Sequence, residues 1–347
     1  MTSDDGGSEW VQQQDDQEQA GGCSRAQSER RRSVPTVELT ADGASRGREV
    51  LVVGAYFADL IFRDLARPVL PGTEVFAGAL DLLPGGAFTP AMAMHRLGHD
   101  VVWATDFGTD LFSSIVLSAA RAEGLDETGF RHHPVPLRSV TVAMSHPGDR
   151  AMVSYQDPYG PPPLAELLRE HRPDVLMLPQ LQYGSAVEEA LRLARRLGTQ
   201  VFMDCQDVPV TLDTPLVREV LSYVDVFAPN ADEALRLTGT STVDDALGVL
   251  GGLVRTVVVK RGGEGASAVQ DGKRHDVLAV PIDVVDTTGA GDCFNAGFVH
   301  ALLAGQQLPG CLAAAVACGA AAAAGPGSSH ALGPAELRQW LTHIPCP

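Results

Sequence analysis

From Glu49 onward, short apolar runs alternate with stretches of helical periodicity. The run 50–53 ends at Gly54, and further strands are predicted at 101–105, 175–178, 201–204, 224–228 and 256–260. Between them the spacing predicts helices over 91–97, closed by Gly98, over 111–123, ending before Gly124, and over 186–197, closed by Gly198. Glycine suits these closing positions because the backbone after a helix commonly turns left-handed. Residues 313–324 are so rich in alanine that they predict a closely packed helix. Strands alternating with helices at this spacing indicate an α/β fold whose parallel sheet is covered on both faces.

Two segments break the alternation. Residues 139–145 and 151–155 predict a hairpin joined by 146–150, and 73–77 supplies another short strand in the same region. Together they imply a small β-sheet outside the main one, placed to act as a lid. A second hairpin is expected from 266–269 and 275–280, around the strong turn signal Asp271-Gly272. Residues 1–47 are polar, with Gly, Gln and Asp clusters and the triplet Arg30-Arg31-Arg32, and are expected to form a disordered tail before a domain spanning 48–347.

Composition narrows the partners. A chain of 347 residues can bury a core, and a formal net charge of −17 argues against nucleic acid and anionic membranes, whose attraction needs cations. No apolar run approaches the roughly 20 residues needed to span a bilayer, and the acidic N-terminus lacks the basic start and apolar stretch of a signal peptide. The six cysteines are scattered without a CxxC pair, which suggests neither a disulfide framework nor a zinc site and fits a reducing cytoplasm. Cys293 is read as a small packing residue rather than a reactive thiol.

The densest chemistry lies at Asp286-Thr287-Thr288-Gly289-Ala290-Gly291-Asp292, between a strand predicted at 277–280 and a helix predicted at 294–303. The N–H groups of Gly289, Ala290 and Gly291 are then aimed beyond a helix N-terminus, where unpaired donors and the helix dipole favour an anion. Asp292 stands where that anion should bind. Repulsion makes such a carboxylate costly unless it accepts a proton, which points to phosphoryl transfer with Asp292 as base.

Further candidates follow other strands. Asp59 comes after the first strand, Gly85 and Gly86 precede the first long helix, Asn230 and Glu233 follow 224–228, and Lys260, Gly262 and Gly265 follow 256–260. As strand-end loops of a parallel sheet they would converge on one edge. Asn230 and Glu233 also have the spacing of a helix capping box, so a structural role competes with a ligand role. His95 is read as a packing or surface residue.

With these residues the chain resembles the ribokinase-like (PfkB) family of carbohydrate and nucleoside kinases over about 48–342; residues 286–297 meet its D-T-x-G-A-G-D-x-F-x-x-G signature in full. The resemblance implies a three-layer sandwich with a mainly parallel central sheet and a small β-sheet lid. It implies ATP-dependent phosphorylation of a sugar-like hydroxyl, with Asp292 as base and Gly289, Ala290 and Gly291 as anion hole. Asn230 and Glu233 would order phosphates and Mg2+, and the loop of Lys260, Gly262 and Gly265 would bind the nucleotide. Asp59, Gly85 and Gly86 would hold substrate hydroxyls, and Asp286 and Thr288 match positions that bind a monovalent cation in some relatives. Some relatives form homodimers through the lid.

One departure concerns the asparagine with which relatives usually open the helix after the double glycine. Here Thr89 or Pro90 stands there, a good N-cap and N1 pair, and Thr89 lacks the amide for paired contacts. A nucleoside kinase, to which Phe57 lends mild support, and a catalytically silent binding relative are the alternatives. A nicotinamide dehydrogenase is disfavoured because Gly54-Ala55-Tyr56 supplies no G-x-G-x-x-G, and a P-loop kinase because GxxxxGK[ST] is absent.

Overall fold

Val50 and Val52 enter one buried apolar cluster, while Leu51 and Val53 enter another. Alternate residues of one strand thus face different cores, as expected of a sheet covered on both sides. The computed structural model describes residues 49–344 apart from 147, 148, 161, 207 and 326. The tail expected over 1–47 lies outside the described residues.

The chain runs through β1 (Glu49–Val53), β2 (Tyr56–Arg63), β3 (Ala79–Gly86), α1 (Phe88–Arg96), β4 (Asp100–Phe107), α2 (Leu111–Glu123), β5 (Phe130–His132), β6 (Ser139–His146) and β7 (Asp149–Gln156). It continues through α3 (Leu164–His171), β8 (Val175–Leu178), α4 (Ser185–Leu197), β9 (Gln200–Met203), α5 (Val217–Leu221), β10 (Val226–Phe227), α6 (Ala231–Thr238), α7 (Val243–Gly251) and β11 (Thr256–Lys260). The last elements are β12 (Ala266–Gln270), β13 (Lys273–Val277), α8 (Ala290–Leu303), α9 (Leu308–Ala323) and α10 (Pro334–Leu341).

The large sheet has the order β13-β12-β11-β10-β9-β8-β1-β4-β5. Strands β11 through β5 in that order pair in parallel, and β12 and β13 close one side antiparallel. The C-terminal ends of the parallel strands therefore share one edge. Helices α1, α8 and α9 supply one core and α4, α6 and α7 the other. The alanine-rich helix α9 does pack closely: a Cβ on Gly297 of α8 would stand 2.6 Å from the Ala314 carbonyl oxygen. No helix among the described residues is long and apolar enough to cross a membrane.

The small sheet has the order β3-β2-β6-β7 and includes the predicted 139–155 hairpin. Its third strand is not at 73–77. That segment opens in a turn in which Thr73 bonds back to Leu70 through both its N–H and its hydroxyl. The ladder begins only at Gly78, whose N–H reaches the Arg63 carbonyl, so β3 occupies 79–86. The segment bearing Asp59, expected as a loop, is the middle of β2, paired with both β3 and β6. The strand expected at 277–280 also moves: β12 begins at Ala266, opposite Val277, so β13 has no partner beyond that residue. The Asp271-Gly272 turn holds, with φ of 48° and 74°, the pair of positive values of a tight hairpin turn.

Candidate active site

Helix α8 starts at Ala290, earlier than predicted, because Gly289 takes the left-handed N-cap geometry at φ 75° that glycine adopts without a Cβ penalty. Asp292 is thereby the third helical residue. Before the helix, Asp286 Oδ1 accepts the Thr288 N–H at 2.9 Å, a local turn that links the two residues of the expected cation site. The Ala290 N–H donates to Thr287 O at 3.2 Å, so this amide of the expected anion hole is already engaged. Gly291 faces a cation: a Cβ placed on it would lie 3.6 Å from Lys260 Nζ.

Asp292 keeps some solvent access but is otherwise enclosed, and burial pushes its carboxyl from 3.8 up to about 7. The negative charges of Asp204, Asp59 and Glu233 add to the rise, and Lys260 opposes it. The charges of three residues singled out from sequence, Asp59 on the small sheet, Glu233 on α6 and Lys260 on β11, thus act on Asp292.

Asp204 was missed as a site residue. It directly follows β9 and is buried, with Oδ2 accepting Lys260 Nζ and Asn295 Nδ2, each at 2.5 Å, and Oδ1 accepting the Cys205 N–H at 2.7 Å. The available signal was a carboxylate closing an otherwise apolar strand at the edge where the other candidates converge.

Asn230 and Glu233 form the capping box. Asn230 Oδ1 accepts the Glu233 N–H at 2.9 Å and Glu233 Oε2 accepts the Asn230 N–H at 2.8 Å. Such a cap contributes about 1 kcal/mol to helix stability. Burial raises the Glu233 pKa, and Asp204 raises it further. Beside this cap lies a cleft of about 320 Å³ lined by residues including Asn230, Asp232, Lys260, Arg261, Gly262 and Glu264. Arg261 Nε is buried there with no hydrogen-bond acceptor among the described residues. Gly265 has a different task. At φ +94° a Cβ on it would stand 2.0 Å from the Val277 carbonyl oxygen, so it shapes the loop rather than presenting a ligand group.

On the small sheet, Asp59 shares a face and a cross-strand row with Leu83, Thr141 and Ser154. Burial pushes the Asp59 carboxyl up to about 6; a hydrogen bond from Thr141 pulls it down and the charge of Asp286 adds to the rise. Gly85 lies against that carboxylate, and Gly86, at φ +62°, lies against Ala55 O and the Phe57 ring. Thr89 does not cap α1. Ala87 is the N-cap, and Thr89 sits buried in the first turn, since the chain already turns helical as it leaves β3. Cys293 is buried, and burial raises its thiol well above its ordinary value of 9.0, consistent with inert packing.

Residues 48–333 match the model of the pfkB family carbohydrate kinases. The chain is 28% identical over 249 residues to a ribokinase of Haemophilus influenzae, an alignment covering 67% of this chain and 78% of the relative. A cytidine kinase of Thermococcus kodakarensis is 36% identical over 132 residues, 36% of this chain and 48% of the relative. Among solved structures, Arabidopsis thaliana ribokinase complexed with ribose and ATP has a TM-score of 0.71 at 23% identity, covering 85% of this chain and 99% of that one, a likeness of fold. The chain belongs to the pfkB family of carbohydrate kinases.

Proposed function

We propose that the protein transfers the γ-phosphoryl group of ATP to a hydroxyl of a sugar or sugar-like acceptor bound between Asp59 and Asp292. The observation that carries this reading is the Asp292 carboxyl, poised near 7 in the first turn of α8 with the Lys260 ammonium beside Gly291. A base whose pKa lies near the working pH accepts a proton most effectively. Asp292 takes the hydroxyl proton as the acceptor oxygen bonds to the γ-phosphorus and the bond to the ADP oxygen breaks. The Gly289 and Gly291 amides and the helix dipole meet the charge on the phosphoryl oxygens, the larger contribution in phosphoryl transfer.

The cleft beside α6 receives the nucleotide, with Arg261 on its phosphates and Lys260 at the end nearest Gly291, where only the γ-phosphoryl group reaches. Bound Mg2+ would neutralise phosphate charge, and Glu233, whose Oε2 is committed to the cap, would hold it through its other oxygen. Asp59, pressed against Gly85, orients the acceptor hydroxyls. A nucleoside acceptor is the second reading. It is favoured by the Phe57 ring close to Gly86 and by similarity to a cytidine kinase.

The small sheet serves as lid, its Asp59 face toward the site. Its other face is apolar: Leu82, Leu60, Val142 and Val153 form one cross-strand row, and Leu80, Phe62, Met144 and Ala151 the next. Leu80 and Val153 are 57% and 61% exposed, an apolar surface of the kind that marks a protein interface. A second copy of this chain covers it. Measuring ATP consumption across sugars, sugar phosphates and nucleosides tests the function, with Asp292→Asn as control; acceptor-independent hydrolysis alone counts against it.

A further inference from the structure

Asp204 ties together three elements beneath Asp292. It directly follows β9, holds Lys260 from β11, and holds Asn295 from α8. Asn295 stands three residues after Asp292, on the same face of that helix. The Asp204 side chain is 7% exposed and that of Lys260 is 14% exposed, so the pair is screened little by solvent. With one side against Asp204, the ammonium lies close to Gly291, at the turn proposed to receive the phosphoryl group.

We infer that Lys260 is a catalytic residue that stabilises the charge of the phosphoryl group in transfer, and that Asp204 is the positioning residue that aims it. The inference rests on the kinase reading. The hydroxyl proton goes to Asp292, the acceptor O–P bond forms and the bond to ADP breaks. A cation fixed where charge is distributed in the transition state acts on kcat, whereas one that only holds nucleotide acts on KM. The pair also has an internal logic. Removing Lys260 alone leaves Asp204 as an uncompensated buried anion beside Asp292, and a buried ion pair broken on one side is worse than one absent. That anion would repel the incoming phosphoryl group.

The test compares Lys260→Met, Asp204→Asn and the double variant in steady-state kinetics with MgATP and the best acceptor from the hydroxyl screen. Lys260→Met should lower kcat about 100-fold while KM for MgATP changes less than about 3-fold. Asp204→Asn should lower kcat roughly 10-fold, because the lysine loses its aim. The double variant should turn over faster than Lys260→Met, since the orphaned anion has gone. MgADP affinity and circular dichroism should match the unsubstituted protein in all three. A rise in KM at unchanged kcat in Lys260→Met overturns the inference, as does a double variant slowed by the product of the single effects. Should Asp204→Asn not fold, the division between kcat and KM in Lys260→Met decides. Failure of the unsubstituted protein to phosphorylate any acceptor removes the kinase reading and this inference together; normal turnover with the wrong pattern removes only the inference.

Discussion

A Cβ placed on Gly85 would stand 2.0 Å from Oδ2 of Asp59, inside the carboxylate itself. Glycine at 85 is therefore what allows Asp59 to lean across the small sheet. Gly85→Ala should push the carboxylate aside and raise the acceptor KM at least about 10-fold, while MgADP affinity is unchanged, because the nucleotide cleft lies elsewhere. Acceptor kinetics beside MgADP titration check this; an unaltered acceptor KM would detach Asp59 from the acceptor site.

The pH profile should report Asp292. Below about 7 its carboxyl is protonated and has no capacity for the hydroxyl proton. In the free enzyme kcat/KM should therefore fall about tenfold per unit as pH drops below the Asp292 pKa. In kcat the limb should lie lower where bound cations favour the carboxylate. A flat profile from pH 5 to 8, tested at constant fold, would remove Asp292 as base.

The same group makes stability depend on pH. Its folded pKa of about 7 lies above the ordinary 3.8, so in that window the unfolded chain releases a proton that the folded chain retains. The native state thus loses stability as pH rises from about 4 through 7. Asp292→Asn removes the share of this loss that Asp292 contributes: its Tm advantage should be clear at pH 8 and shrink toward pH 4. An advantage independent of pH would contradict the burial of a charge at this position.

Outer-face residues of the small sheet should govern assembly. Leu80→Asp together with Val153→Lys should convert a dimer to monomers in light scattering and leave the monomer's thermal stability nearly intact, since both side chains are exposed. A monomeric unsubstituted protein would show that this face has no second copy upon it.

Most of the large sheet was legible because its strands are buried on both faces and read as short apolar runs, as at 50–53 and 175–178. The small sheet was not so legible. In β2, apolar residues fall on both faces: Leu60 and Phe62 outward, and Ile61 inward on the face of Asp59, so neither alternation nor a continuous run stood out. The start of β3 was misplaced because Phe76, apolar by type, is 82% exposed beside a turn. The DTTGAGD turn was readable since its glycines and carboxylate are adjacent in sequence. Asp204, Lys260 and Asn295 meet only through packing of β9, β11 and α8, which no local pattern encodes.

Transfer of label from γ-labelled ATP to an acceptor hydroxyl tests the central claim most directly, run with the unsubstituted protein and Asp292→Asn side by side. Labelled phosphate ester should form only with acceptor present, and Asp292→Asn should bind MgADP normally yet form ester at least about 100-fold more slowly. Ester formation at the same rate in both proteins, or none in either across sugars, sugar phosphates and nucleosides, would contradict it.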